Sequence, residues 1–389
     1  MHGESLPESE AQAARNGDAG ALAAALVASR ADTLATFAAF EAALPGLQVP
    51  QRDELNPPLW ELGHIGWFQE FWLARFSERA LGSSANPDAP RQPALRAQAD
   101  ALYHSSQVAH ATRWQLPLPD ADATRHDLAL QLEQTLALLA QGPSAGADAL
   151  YFFRLALLHE DMHHEAALYM ARSLGVPIDD VRWQAPALPA APAALHFEAS
   201  RWRLGHAGAG FAFDNERVAH ELPVPACTID AQVLRWADYL PLLDAEPGRP
   251  APRYLQREGR RWLQWREGRW RALDLSEPAC HLRYDEALAW CDWAGRRLPT
   301  EAEWERAACS AGTAFRWGDV WEWTASPFAP YPGFTPHPYR DYSAPWFDGR
   351  PVLRGGSFMT QPRMKHPRYR NFFQGHRCDV PAGFRTCAC

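Results

Sequence analysis

An α-helical bundle followed by a mixed α+β domain is the architecture that three observations on this chain predict. Its first half repeats apolar residues at helical spacing. A Pro/Ala segment, APALPAAPAA, then interrupts the chain at Ala185–Ala194, and beyond it short runs rich in Trp, Phe, Val and Leu are punctuated by Gly, Pro and Asp. These shifts place a helical unit at 1–185 and a second unit at 196–389.

The helices follow in order. Leu22, Leu26, Phe37, Phe40 and Leu44 recur at helical intervals and mark the first. Asn56-Pro57-Pro58 suits the start of a second, because proline is tolerated in a first turn, and that helix carries His64 in LWELGHIGWFQEFW. Polar or proline-rich loops are expected at Pro117–Ala123 and Gln141–Gly146, on either side of a third helix marked by Leu128, Leu132, Leu136 and Leu139. The fourth contains LLHEDMHHEAALYM and stops at Gly175 and Pro177. Four long amphipathic helices with a polar cluster facing inward describe a bundle, whose core is where facing helices assemble metal sites. In the second unit one helix pair is expected, around Tyr284 to Ala308, and many of the 17 tryptophans must be core.

With 389 residues the chain is long enough for two domains. Its 38 Lys and Arg against 46 Asp and Glu give a net charge of −8, which argues against a protein built to hold nucleic acid or an acidic membrane surface. The first thirty residues lack the apolar core of a signal peptide, and no later stretch is expected to reach the length of a membrane span. The seven cysteines are odd in number and scattered, as in a reduced, cytoplasmic protein, and Cys387-x-Cys389 is expected to be a frayed tail. Partners are therefore expected to be small molecules.

The chemistry is concentrated in three histidines. His159 and His163 stand four apart, so both rise from one helix face about 6 Å apart along the axis and can close on one ion. His64, from another helix, supplies the third ligand. Imidazole suits zinc, copper, iron or nickel, so ligand type alone does not choose the metal. Three facial ligands on an octahedral ion leave positions for substrate and dioxygen, whereas zinc would take one water as a fourth ligand. The competing reading, ordinary helix histidines, is weakened by the cost of burying such a pair without a partner.

Several separated segments carry a family resemblance. FAFDNERVAHELPVPACTID, RRLPTEAEWERAA, VWEWTAS, VLRGGSF, RNFF and GFRTC resemble, in order and type, the formylglycine-generating-enzyme-like (sulfatase-modifying-factor) domain with its C-type-lectin-like fold. WELGHIGWFQEFW and HEDMHHE look like a DinB-type four-helix bundle. Together they resemble the non-heme iron sulfoxide synthases of ergothioneine and ovothiol biosynthesis over nearly the whole chain. The resemblance implies Fe(II) at His64, His159 and His163, with dioxygen as co-substrate, and gives Glu165 a ligand-orienting or helix-packing role. It also implies a tyrosine in PHPYRDYSAPWFDG, Tyr339 or Tyr342, as donor of a proton or hydrogen bond to oxygen at the iron. Asn371 matches an asparagine that holds the histidine-betaine substrate, hercynine. Phe372, Phe373, Trp321 and Trp323 are candidates for the aromatic faces that attract its quaternary ammonium. Arg354 to Ser357, in RGGS, are expected to make a structural turn.

The departures from that family are informative. Where enzymes using γ-glutamylcysteine carry a glutamine before the second motif histidine, an acidic residue two places after the asparagine and paired arginines in the bundle's long loop, this chain reads Met162, Phe373 and ALYHSSQVAHATRWQLPLPD. A neutral chalcogen donor fits such a pocket better. The pattern resembles the branch that joins selenium from a selenosugar, 1-seleno-glucose, to hercynine through a selenoxide, so the expected activity is selenoneine synthesis. An ergothioneine-type synthase taking cysteine or γ-glutamylcysteine is the alternative. A zinc-dependent thiol transferase or hydrolase and a non-catalytic lectin-type sugar binder are the readings from other classes. Formylglycine-generating activity is not expected, because Cys378 and Cys387 lack a recognisable active-site arrangement.

Overall fold

The computed structural model describes residues 9–142 and 148–389. Residues 143–146 of the expected Gln141–Gly146 loop lie outside them. The first half contains α1 (Glu10–Asn16), α2 (Ala19–Ala43), α3 (Pro58–Trp72), α4 (Ala99–Tyr103), α5 (Ala121–Ala140) and α6 (Tyr151–Leu174). Asp18 caps α2 by accepting from the Ala21 amide, and Pro58 sits in the first turn of α3. Gly175, with φ 76°, ends α6. The long helices α2, α3, α5 and α6 pack on one another, α2 against α6 and α3 against both α5 and α6. The expected loop at Pro117–Ala123 is shorter than anticipated: Asp120 caps α5 through the Ala123 amide, so Ala121 to Ala123 are already helical.

Contrary to the sequence expectation, α2 is long and apolar enough to cross a membrane. Here it is a bundle helix, tied to α6 by the buried Arg30–Glu160 pair at 2.8 Å and by Ser29 donating to Asp161 at 2.7 Å.

Extended and irregular chain from Gln184 to Ala194 leads to β1 (Leu195–Phe197), β2 (Ser200–Leu204), β3 (His220–Val224) and β4 (Cys227–Ile229). Next come α7 (Trp236–Ala245), the hairpin strands β5 (Leu255–Glu258), β6 (Arg261–Arg266) and β7 (Arg269–Ala272), and α8 (Tyr284–Ala294). The chain closes with β8 (Arg296–Arg297), α9 (Glu301–Ser310), β9 (Trp321–Pro327), β10 (Pro351–Arg354), β11 (Asn371–Phe372), β12 (Ala382–Gly383) and β13 (Cys387–Ala388). One sheet runs β1-β4-β13-β8, another β11-β10-β9-β12 with β12 parallel to β9; β2-β3 and β5-β6-β7 are antiparallel. Helix α7 was not expected. Its interior Pro241 breaks the sequence signal, while burial of Trp236, Tyr239, Leu240, Leu242 and Leu243 supplies the packing that holds it. Nor is the C-terminal tail frayed: Cys387 is buried in β13 between Ile229 of β4 and Arg297 of β8, and the exposed residues are the last two, Ala388 and Cys389.

One apolar cluster runs through both halves, with Trp60, Phe68, Phe152 and Leu157 from the bundle beside Phe211, Trp236, Trp323 and Phe384. Polar ties cross the same boundary. Arg15 pairs with Glu216 at 2.6 Å, and Arg363 grips Asp161 with two bonds of 2.7 and 2.8 Å. The Glu165 carboxylate accepts from Trp321 Nε1, Ser357 Oγ and Thr360 Oγ1 at 2.7 to 3.0 Å. Glu165 is thus the strut from α6 to the second unit, and burial raises its pKa. RGGS is structural, with Arg354 paired to Glu305 and Ser357 bonded to Glu165.

Candidate metal centre

Along HEDMHHE successive side chains rotate by about 100°, so each polar group of α6 meets a different neighbour. Glu160 faces Arg30, Asp161 faces Arg363, His164 bonds Thr36 Oγ1 at 3.0 Å, and Glu165 faces the second unit. His159 and His163 are left for the bundle interior, where His64 of α3 meets them. Ligand atoms of the three rings all lie within 4.8 Å of one another. Two imidazole nitrogens bound to one ion at about 2.0 to 2.1 Å stand at most about 4.2 Å apart, so the rings are gathered almost to bonding separation.

The surroundings orient these rings for a metal. His64 Nδ1 lies 2.8 Å from the Tyr103 carbonyl, which only accepts, so Nδ1 carries the proton and Nε2 keeps its lone pair. Tyr103 reaches this position because residue 63 is glycine: a Cβ there would stand 2.3 Å from the Tyr103 ring. His163 Nδ1 donates to Glu61 Oε2 at 2.5 Å. Burial works to raise the Glu61 carboxyl, but facing His163 outweighs it and holds the pKa at about 2, so Glu61 is the ionised acceptor. Asn56 Nδ2 donates to the other oxygen of Glu61 at 2.5 Å and is itself held by Arg113. His159 Nδ1 is buried with no hydrogen-bond partner among the described residues, and Phe68 stacks on its ring at 3.5 Å. Burial, with His163 adding to it, pushes His64 down to about 3 and His159 well below its ordinary value. Both are neutral near pH 7, the protonation state a metal ligand requires. The donor set, its orientation and the unpartnered nitrogen fit a metal ion.

Glu61 was missed from the sequence, although it lies three residues before His64 on the same helix. Glu61→Ala is expected to weaken metal affinity 10- to 100-fold, about 1.4 to 2.7 kcal/mol, as measured by competition with a chelator. Affinity equal to the unsubstituted protein would remove Glu61 from the site.

The second unit lays the 337–343 loop over His159. The Tyr339 ring centroid is 6.1 Å from His159 and 5.0 Å from Phe68, and no protein hydrogen bond to its hydroxyl is found among the described residues. Tyr342 is placed differently, its hydroxyl bonded to Tyr369 at 3.3 Å and its ring stacked on Phe213 at 4.4 Å. The loop is braced by Ser343, bonded to Asp214 and Asn215, and by His337 meeting the Tyr151 hydroxyl at 3.0 Å.

The expected substrate residues divide. Met162 and Tyr169 are seven apart and share a face of α6, and Phe373 packs edge-on against Tyr169 at 6.5 Å. Asn371 is half-buried, its Oδ1 accepting from the Phe372 amide, and no hydrogen bond from its Nδ2 is found among the described residues. Phe372 is stacked on Phe328 at 4.1 Å, a packing contact. Trp323 is a correction: it is fully buried, its indole N–H spent on the Leu282 carbonyl, so it has no face to offer a ligand. Trp321 is equally enclosed and bonded to Glu165.

Beside this loop lies a cavity of about 250 Å³, bounded towards His159 by Phe68 and Tyr339. Sequence reasoning located no cation here, yet Arg91 lines it, with Nη2 buried and without a partner among the described residues and the guanidinium 3.7 Å from the Phe71 ring. Arg340, Asp88 and Asp341 also line it, Arg340 paired with Asp88 at 3.1 Å. Arg91 comes from an earlier segment than the loop in which arginines were sought.

Comparison with known proteins bears on these features. Residues 205–319 and 315–388 match the family described as Sulfatase-modifying factor enzyme 1-like domain. Over 85–86% of its length the chain is similar to proteins named hercynine oxygenase. It is 29% identical to that of Mycolicibacterium smegmatis, 30% to that of Mycobacterium tuberculosis and 31% to that of Mycolicibacterium thermoresistibile, covering 90%, 92% and 88% of those proteins.

Proposed function

Because the chain belongs to the hercynine oxygenase family, the ergothioneine-type sulfoxide synthases, and is therefore an oxidoreductase, we propose that it is a cytoplasmic enzyme that couples hercynine to a selenosugar in the presence of Fe(II) and dioxygen. The two-domain division at 1–185 and 196–389 is part of this reading: the bundle holds the metal and the second unit supplies the tyrosine loop. In the overall reaction the C–H between the ring nitrogens of hercynine and the Se–H of 1-seleno-glucose are replaced by a C–Se bond. Dioxygen takes up the four electrons, one oxygen ending as the selenoxide and the other as water.

His64, His159 and His163 would hold the iron, which when bound supplies open positions for donor and dioxygen and the electrons that activate dioxygen. Everything else is done by the chain. Glu61 and the Tyr103 carbonyl fix two ring tautomers. Phe68 covers the His159 ring and excludes water from it. Asn371 Nδ2 and the Phe373 face are the groups proposed to hold the betaine end of hercynine, the aromatic contributing about 0.5 to 2 kcal/mol.

Tyr339 is the proposed donor of a proton or hydrogen bond during coupling. Burial raises its pKa, so its hydroxyl is protonated at neutral pH, and no hydrogen bond to that hydroxyl is found among the described residues. Tyr339→Phe is expected to lower the coupling rate by about 10² to 10⁴ and to shift product towards simple donor oxidation. Tyr342→Phe, which removes only a bond to Tyr369, is expected to change the rate less than tenfold. Equal effects, read from product ratios by mass spectrometry, would reassign the role.

The observation that carries the choice of donor is the combination of Met162 and Phe373 with a cavity whose two guanidiniums, Arg91 and Arg340, are balanced by Asp88 and Asp341. Incubating iron-loaded protein with hercynine and each donor, first without and then with oxygen, tests the activity. Product only with a thiol donor returns the chain to ergothioneine-type chemistry, and turnover independent of oxygen removes it from oxygenase chemistry altogether.

A further inference from the structure

At the far end of α6 from the histidines stands a second cluster that metal chemistry does not use. Arg172 is in the last turn, with Nε and Nη2 both buried and neither bonded to an acceptor among the described residues. It lines a cleft of about 40 Å³ together with Arg266, Glu267, Gln184, Trp183 and Met359. The carboxylates nearby are already taken. Glu277 is held by Arg266, Glu267 by Arg271, and Asp379 by two bonds from Arg377. Of the charged residues lining the cleft, Arg172, Arg266 and Glu267, the last two are paired outside it with Glu277 and Arg271, and among the described residues Arg172 makes no ion pair. His281 adds another buried nitrogen, Nε2, without a partner among the described residues, its ring packed edge-on against Tyr254, over which the Arg172 guanidinium lies at 5.4 Å.

The position matters because two backbones meet there. A Cβ on Gly175, the cap of α6, would stand 2.8 Å from the Gly268 Cα in the β6–β7 turn, so the hairpin closes directly onto the helix end. A cation buried at such a junction without a counter-charge opposes the docking of the two elements. Burial accordingly presses the Arg172 pKa down, against the pull of neighbouring groups.

We propose that this cleft is an anion site, in which a small inorganic anion the size of chloride is held by Arg172 with Arg266 beside it and fastens the metal-bearing helix to the β6–β7 hairpin. The cleft has room for one such ion or a few waters, not for a sugar or an organic phosphate.

The test uses the full metal-loaded protein in sodium chloride, bromide or gluconate at equal ionic strength. Chloride and bromide are expected to raise Tm saturably, by about 2 °C over gluconate at tenfold excess over Kd. Arg172→Met should lose that increment, and crystals grown in bromide should show an anomalous peak against the Arg172 guanidinium. Equal Tm in chloride and gluconate, an increment that persists in Arg172→Met, or bromide crystals with no anomalous peak at Arg172 would each overturn the proposal. The bromide measurement uses the unsubstituted protein and decides the matter even where Arg172→Met does not fold.

Discussion

His159→Ala is expected to abolish turnover, with kcat/KM falling at least a thousandfold, about 4 kcal/mol at the transition state, and bound metal falling in parallel. The reason is geometric. In the proposed site His64 and His163 would approach the ion from two helices and His159 would close the face, and among the described residues its Nδ1 has no hydrogen-bond partner, unlike those of the other two rings. The change leaves α6 intact, because alanine is a good helix former and the ties of that helix run through Glu160, Asp161, His164 and Glu165. His164→Ala is the control. It sits next to a proposed ligand and is as buried, yet it points to Thr36 and Trp183, so metal content should stay near that of the unsubstituted protein. The decisive measurement is metal per chain alongside the helical circular dichroism signal. Full occupancy in His159→Ala would sink the assignment.

Donor preference is expected to be the second large effect: a selenosugar processed at least a hundredfold more efficiently than γ-glutamylcysteine, a difference of about 2.7 kcal/mol in kcat/KM. The cavity beside Tyr339 contains cations, so the preference rests on balance rather than on their absence. Arg340 is committed to Asp88, and Asp341 stands beside them, so a donor with two carboxylates meets as much negative as positive charge as it gives up hydration. A glucosyl group carries no charge and finds acceptors in the carboxylates, donors in Arg91 and Ser105, and aromatic faces in Trp67, Trp72 and Tyr339. Comparing the two kcat/KM values at matched hercynine and oxygen tests this. Equal efficiencies, or a preference for γ-glutamylcysteine, would place the chain among enzymes using that thiol.

The bundle was legible because helix signals are local. Leucine spacing, proline at the start of α3 and glycine after α6 each act within one or two turns, and the i, i+4 histidine pair follows from helix geometry alone. The second unit was less so, since short strands such as β8, β11, β12 and β13 are made by partners far away in sequence. Helix α7 was hidden by Pro241, and Trp323 was misjudged because an aromatic residue's exposure cannot be told from its neighbours in sequence.

What the sequence by itself determined, then, is the order of the helices, the histidine pair on one face of α6 and the family to which the chain belongs, all consequences of spacing along one chain. Tertiary structure alone decided that Glu61 bonds His163 while Glu165 bonds Trp321, that the Tyr342 hydroxyl is taken by Tyr369 while the Tyr339 ring packs near His159, and that Arg91 enters the cavity beside it. A hydrogen bond acts over about 3 Å and depends on direction, so its partner is fixed only when helices and loops distant in sequence have packed.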